Sequence, residues 1–210
     1  MSAQKTSRAA ILGRIRAAGC SASTILPHEY ICRGTRDPDA RLKLMRERLE
    51  EYGTRVVEST PERLAACISG EIAAGGRRKL VAPSGLPSNW LTADAEWTVD
   101  RGLEIAEIEK MDGAMTTAFC GIADSGTIVL HHSAREGRRV LTLLPDWHLC
   151  VIYASQVVET LPEYFSRCPR PPALATYISG PSATADIEMT RIKGVHGPRF
   201  LTVILVRDEK

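Results

Sequence analysis

The stretch that decides the fold is residues 37–83, DPDARLKLMRERLEEYGTRVVESTPERLAACISGEIAAGGRRKLVAP. It opens with Asp37 and Pro38, residue types that favour the N-cap and the first position of a helix. Apolar side chains then recur at helical spacing: Leu42, Met45, Leu49 and Tyr52. Because Gly53 follows this run and glycine commonly ends helices, we predict a helix that closes there.

The same stretch continues as strand, helix and strand. Residues 54–58 are typical of a short strand, and Thr60 with Pro61 repeats the signal for a helix start. Leu64, Ile68 and Ile72 lie four residues apart, and 79–83 reads as a short buried strand. This alternation predicts an α/β fold, a mainly parallel sheet flanked by helices. Ligands of such sheets usually bind at the carboxyl ends of the strands.

Outward from this stretch, the pattern is weaker but continues. We expect a first helix capped by Ser7 and ending near Gly19. Further strands are expected at 103–106, 116–123, 127–130, 149–153 and 201–206, and a helix or irregular turn at 184–191. We divide the chain into an N-terminal helical extension, 1–52, and an α/β domain, 53–210.

Composition excludes several classes of protein. The chain has 210 residues, of which 44% are hydrophobic and 25% charged, so it is neither disordered nor fibrous. The formal net charge is only +2, and the basic runs 77–79 and 138–139 each follow a glycine, so we interpret them as solvated turns. We therefore expect no nucleic-acid partner.

The cysteines and the hydropathy pattern exclude two more features. No two of the six cysteines lie closer than 12 residues, so no zinc ribbon or iron–sulfur cluster motif is present. The longest apolar run near the end, 201–206, is far shorter than the roughly 20 residues that a membrane helix needs. We expect a cytoplasmic protein with no membrane span.

The first candidate site is the stretch 119–127, FCGIADSGT. Asp124 follows an apolar strand and is a candidate nucleophile or base. Four neighbours are candidate ligand-binding residues: Gly121, Ser125, Gly126 and Thr127. Glycines there would let a ligand approach the backbone. The alternative is that Asp124 only starts a hairpin turn.

A second candidate site is 178–188, ISGPSATADIE, with Gly180, Ser182 and Thr184 as candidate ligand-binding residues. If the stretch leads into a helix, the backbone amides at its start favour an anion. Asp186 and Glu188 would repel a phosphate, so we expect at least one of them to bind backbone amides instead. The alternative is a helix cap without a ligand.

A third candidate is Gly194-Val195-His196-Gly197-Pro198, in which Gly194, His196 and Gly197 are candidate ligand-binding residues. His196 and His148 are expected to supply positive charge or a proton. The alternative for His196 is an ordinary surface histidine. The histidines lack the spacing of a metal motif, so we expect no metal site.

Taken in order, these stretches resemble the LUD-domain family. The resemblance rests on 121–127 (GIADSGT), 144–148 (LPDWH), 179–188 (SGPSATADIE) and 194–198 (GVHGP). It is strongest over 116–206, and 20–97 adds little. It implies a fold of the NagB/RpiA/CoA-transferase group and a role in bacterial L-lactate utilisation. In that system, iron–sulfur partner proteins act together with a cluster-free member in oxidising L-lactate to pyruvate, and this chain would be that member, with no cofactor of its own.

One position departs from the family pattern. The family usually has Glu where this chain has Asp124, and in related CoA-transferases that Glu is the nucleophile. Because Asp is one methylene shorter, a transferase-like nucleophile is in doubt here. We expect the three glycine-bearing loops to form one pocket for a small anion. The alternatives are a free-standing CoA-transferase-like or sugar-phosphate-binding enzyme, and an interaction module without catalysis.

Overall fold

The computed structural model describes residues 3–19, 31–184, 192–193 and 196–208. The chain divides into two compact units, Met1–Tyr30 and Ile31–Lys210. The first contains α1 (Ala3–Ala17), which confirms the predicted first helix. This helix begins before Ser7, so Ser7 is not its N-cap. The predicted domain boundary between 52 and 53 stays a prediction.

The second unit contains the other helices and the strands. Its helices are α2 (Pro38–Glu51), α3 (Leu64–Gly75), α4 (Ile105–Ile108) and α5 (Leu161–Arg167). Its strands are β1 (Arg55–Ser59), β2 (Lys79–Pro83), β3 (Glu96–Asp100), β4 (Gly113–Thr117), β5 (Cys120–Ile122), β6 (Thr127–Leu130), β7 (Trp147–Tyr153), β8 (Val157–Val158), β9 (Thr176–Ile178), β10 (Ala183–Thr184), β11 (Ile192–Lys193) and β12 (Phe200–Val206).

Six strands form a parallel sheet in the order β1-β12-β7-β4-β2-β3, which confirms the predicted α/β class. A smaller sheet, β8-β5-β6-β9, has mixed strand directions, and β10 pairs with β11. The more specific assignment to the NagB/RpiA/CoA-transferase group stays a prediction.

Both faces of the large sheet are covered, which explains the continuous apolar runs of its strands. Alternate residues of β7 point to opposite faces. Cys150 and Ile152 pack in one core cluster with α2 and the small sheet, while Leu149 and Val151 pack in another with α3. The side chain of Asp37 accepts a hydrogen bond from the Ala40 amide at 2.8 Å, as predicted for an N-cap.

The helix start predicted at Thr60 and Pro61 is displaced, since α3 begins at Leu64 with Arg63 as its N-cap. Two further predicted elements differ from the observed ones. The expected strand 116–123 is divided into β4 in the large sheet and β5 in the small sheet, because the chain changes sheets at Ala118 and Phe119. The expected strand 103–106 is instead a helical turn, α4. The Glu104 amide donates to the side chain of Glu107 at 2.9 Å and so stabilises the start of this turn.

Candidate functional site

A cleft of about 310 Å³ brings together five of the predicted ligand-binding residues. These residues are His148, Gly180, Ser182, His196 and Gly197. They come from the start of β7 and from the loops after β9 and before β12, so sequence-distant motifs meet here. We call this the His148 cleft.

Three other predicted residues, Asp124, Ser125 and Thr127, line a neighbouring cleft of about 450 Å³. We call it the Asp124 cleft; apolar side chains of Ile122 and Leu161 also line it. The two clefts share Tyr177 and Ser179. The single pocket expected from the sequence is therefore divided between two adjoining clefts.

A row of hydroxyl groups crosses the shared wall. The Ser125 and Thr127 hydroxyl oxygens lie 2.7 Å apart, and Thr127 Oγ1 lies 2.7 Å from Ser179 Oγ. Ser179 follows β9, whereas Ser125 and Thr127 flank the turn before β6. These hydrogen bonds hold the first and second candidate stretches together.

Asp124 lies on a short helical turn, with its side chain 48% exposed. Its carboxylate is 3.5 Å from the guanidinium of Arg36, which also bonds Glu159 at 2.7 Å. The Asp124 amide donates to the Glu159 carbonyl at 3.0 Å. Arg36 is thus shared by two carboxylates and lies nearer to Glu159, and the half-exposed Asp124 carboxylate lines the cleft. The expected role as a nucleophile stays a prediction.

Gly121 and Gly126 do not line either cleft, and the close ligand approach expected there stays a prediction. A Cβ at Gly121 would lie 2.9 Å from Ile152 Cδ1 in the core. Gly126 has φ +60°, and a Cβ there would lie 2.7 Å from Arg48 Cβ on α2. Packing therefore requires glycine at 126, where the near atoms include the backbone of α2, while at 121 the near atoms are the ends of core side chains.

The loops of the second and third candidate stretches are bonded to each other. The Ser182 amide donates to the Pro198 carbonyl at 2.8 Å, and the His196 amide donates to Ser182 Oγ at 3.2 Å. Gly180, with φ +101°, passes close to Tyr52 at the end of α2. These contacts explain how glycine-bearing loops far apart in sequence form one wall of the His148 cleft.

The remaining predicted residues of these loops are only partly covered. Thr184 lies in β10, paired with Ile192, so the stretch 178–188 does not run directly into a helix at this point. Gly194, Asp186 and Glu188 lie outside the described residues.

His148 is buried on β7, and its Nε2 lies 2.8 Å from Thr116 Oγ1. Burial lowers the pKa of this imidazole to about 4. The ring is therefore neutral near pH 7, and His148 does not supply the positive charge expected from the sequence. It lines the cleft as an uncharged hydrogen-bonding group.

Among the described residues, the arginine that lines the His148 cleft is Arg139, for which the sequence carries no motif. The sequence predicts that Arg138 and Arg139 together form a solvated turn. Both arginines are exposed, as predicted, but Arg138 also makes two hydrogen bonds to Asp100, at 2.8 and 2.7 Å, and these bonds hold the pKa of that carboxyl below its usual range. Arg139 lines the cleft and makes no side-chain hydrogen bond or ion pair with the residues that the structure describes.

In the other basic run, 77–79, Arg78 and Lys79 are exposed as expected, whereas Arg77 is half-buried. The guanidinium carbon of Arg77 lies 5.0 Å from the centre of the Phe200 ring and 5.8 Å from that of Trp147. Arg77 thus packs on aromatic faces as a cation–π pair.

Neither a metal-binding cluster nor a membrane-spanning helix is found in the described part of the chain. Within 3–19, 31–184, 192–193 and 196–208, no three His, Cys, Asp or Glu side chains are grouped so that they could hold a metal ion. None of the helices in these same ranges is long and apolar enough to cross a membrane.

The chain is similar to known proteins over most of its length. The family model of the LUD domain matches residues 42–206. A protein of Deinococcus radiodurans named lactate utilization protein C is 37% identical over 76% of this chain and 76% of its own length. The protein of the same name from Anoxybacillus flavithermus is 30% identical over 80% of each chain.

A solved structure agrees with these sequence matches. The crystal structure of a DUF162 family protein from Deinococcus radiodurans superposes with a TM-score of 0.68 at 30% identity. The match covers 82% of this chain and 99% of that one. From the family match and the relatives together, the chain belongs to the LUD domain family.

Proposed function

We propose that this protein is a cytoplasmic, cluster-free subunit of a bacterial L-lactate utilisation system. Iron–sulfur partner proteins would take the electrons as L-lactate is oxidised to pyruvate. Two facts support this proposal: several relatives are named lactate utilization protein C, and the six cysteines are too widely spaced for a cluster motif.

The observation that carries the proposal is the unpaired guanidinium of Arg139 in the His148 cleft, unpaired among the residues that the structure describes. A guanidinium matches a carboxylate in charge and hydrogen-bond geometry. The hydroxyl of Ser182 and the exposed His196 lie in the same cleft, on loops held together by the Ser182 bonds. We propose that the cleft binds the carboxylate of a small acid.

Asp124 has a supporting role in this proposal. Its carboxylate is paired with Arg36, and the Ser125–Thr127–Ser179 hydroxyl row connects its turn to the wall of the His148 cleft. We propose that Asp124 maintains this wall. Under the CoA-transferase-like alternative it would attack an acyl group directly.

The first test is purification of the tagged full-length chain from its native cells grown on L-lactate. The proposal predicts a coloured eluate that contains iron–sulfur partners and oxidises L-lactate. A colourless single protein without lactate oxidation would overturn the subunit role and lead to binding assays with CoA esters and sugar phosphates.

The second test is genetic, in cells that lack the native copy. Arg139→Gln should abolish or strongly slow growth on L-lactate. The matched control is Arg135→Gln, because Arg135 is an exposed arginine of the preceding loop that does not line the cleft. Equal growth of the two variants would contradict a role for the cleft.

A further inference from the structure

His132 has an unusual backbone and a fully bonded ring. Its φ is +57°, the left-handed region that residues other than glycine adopt rarely. Its Nδ1 lies 2.9 Å from the Gly137 carbonyl oxygen, and its Nε2 lies 2.8 Å from Thr176 Oγ1. Such strain persists only where the surroundings enforce it, and it is concentrated at functional sites.

These two contacts select one tautomer of the uncharged His132 ring. A carbonyl oxygen only accepts hydrogen bonds, so Nδ1 of His132 carries the hydrogen. In the neutral ring, Nε2 is then the acceptor, and the Thr176 hydroxyl must donate to it. The hydroxyl hydrogen of Thr176 is therefore committed to His132, and its oxygen offers only lone pairs to any further partner.

Thr176 is the first residue of β9 and lines the His148 cleft together with Arg139. Throughout the described part of the chain, the only hydrogen-bond partner of Thr176 Oγ1 is His132. The cleft thus has two different recognition elements, an unpaired cation and a hydroxyl oxygen oriented as an acceptor.

We infer that Thr176 selects 2-hydroxy carboxylates over 2-oxo carboxylates, with His132 as the residue that positions its hydroxyl. This inference rests on the proposed function, in which Arg139 binds the carboxylate. The hydroxyl of a 2-hydroxy acid can donate to Thr176. The carbonyl of a 2-oxo acid can only accept, so it would leave two acceptors facing each other. The cleft would therefore hold the reduced acid and release the oxidised one.

The test is calorimetric titration of the purified full-length chain with L-lactate, propionate and pyruvate. These ligands share the carboxylate and differ in the group at the second carbon. L-lactate should bind about threefold to tenfold more tightly than either of the others, the effect of one neutral hydrogen bond. In Thr176→Val the advantage over propionate should disappear, whereas Thr176→Ser should retain it.

The matched control is Thr98→Val, a half-buried threonine of β3 outside the cleft, which should leave all three affinities unchanged. His132→Asn tests the positioning role, because asparagine tolerates positive φ and its amide nitrogen can replace Nδ1 but not Nε2. In this variant the Thr176 hydroxyl is free to rotate, so the ratio of the affinities for L-lactate and pyruvate should fall towards one. If His132 only supports the fold, His132→Asn should lower the three affinities together and leave their ratios unchanged.

The outcomes separate this inference from the proposed function. One outcome is that the three acids bind, that Arg139→Gln weakens the binding of each, and that Thr176→Val leaves the ratios of their affinities unchanged. In that case selection by Thr176 is wrong, while carboxylate binding stands. If wild-type protein binds none of the acids, carboxylate binding itself is wrong, and the inference is overturned with it.

Discussion

The two clefts on either side of β9 differ in whether their charges are available. In the Asp124 cleft, the carboxylate of Asp124 is paired with Arg36, which is held in turn by the buried carboxylate of Glu159. In the His148 cleft, Arg139 has no such partner among the residues described. The residue with the most suggestive sequence motif thus lies beside an arginine of the protein itself, whereas an arginine without any motif has no partner among the described residues.

The comparison predicts that the turn at Asp124 serves the stability of the fold. Among the substitutions considered, we expect the largest loss of stability at Gly126. Gly126→Val should lower the free energy of unfolding by about 4 kcal/mol, since positive φ and the clash with Arg48 add together. Gly53 is the matched control, because it has φ +82° and a Cβ there would meet nothing within 4 Å. Gly53→Val should cost only about 2 kcal/mol, by strain alone. Urea unfolding of the two variants measures the difference, and equal losses would contradict a packing role.

The second prediction concerns the pH dependence of stability that arises from His148, the buried histidine that lines the His148 cleft. The pKa of His148 is about 4 in the folded protein and near 6.5 in the unfolded chain. The unfolded chain therefore binds more protons between these values, so stability is fully present above pH 6.5 and falls as the pH falls towards 4. The loss from this group should be about 3 kcal/mol.

Urea unfolding at several pH values tests this prediction. In His148→Gln, whose side chain stays uncharged, that part of the pH dependence should be missing. An unchanged pH dependence in the variant would show that His148 is not the titrating group.

The third prediction compares the two arginines directly. Arg36→Gln should destabilise the protein by about 1.5 kcal/mol, because it leaves the Glu159 carboxylate buried without its cation, an effect reduced by the 45% exposure of Arg36. Arg139→Gln should change stability by less than about 0.5 kcal/mol. Thermal or urea unfolding of the two variants measures the difference. A larger loss of unfolding free energy in Arg139→Gln than in Arg36→Gln would contradict the view that Arg36 is the arginine that stabilises the fold.

The smallest effect is expected at the wall between the clefts. A double-mutant cycle of Thr127→Val and Ser179→Ala should give a coupling energy of about 0.5 to 1 kcal/mol, the net value of one neutral hydrogen bond. Unfolding free energies of the four proteins supply the measurement. If the changes in unfolding free energy of the two single variants simply add in the double variant, the hydroxyl row does not couple the two clefts.

Much of the fold could be predicted because its signals are local. The N-cap at Asp37 and the spacing of Leu42, Met45 and Leu49 indicate α2 from neighbouring residues alone. The alternation of helices and strands indicates the parallel sheet. Parts of three sequence motifs that line the clefts were also indicated by their glycines and polar residues, whereas no sequence signal pointed to Arg139 or Thr176.

The functional state of individual side chains was decided only by the tertiary structure. His148 is neutral because strands far away in sequence bury it, and Gly126 is required because α2 passes beside it. Arg139 has no ion-pair partner among the residues that the structure describes, whereas its neighbour Arg138 pairs with Asp100. Caps and periodicity act over a few bonds, so the sequence by itself determined the elements and the class of fold. Charge, burial and close packing depend on residues brought together by folding, so only the tertiary structure decided which charged side chains pair with one another and which line the clefts.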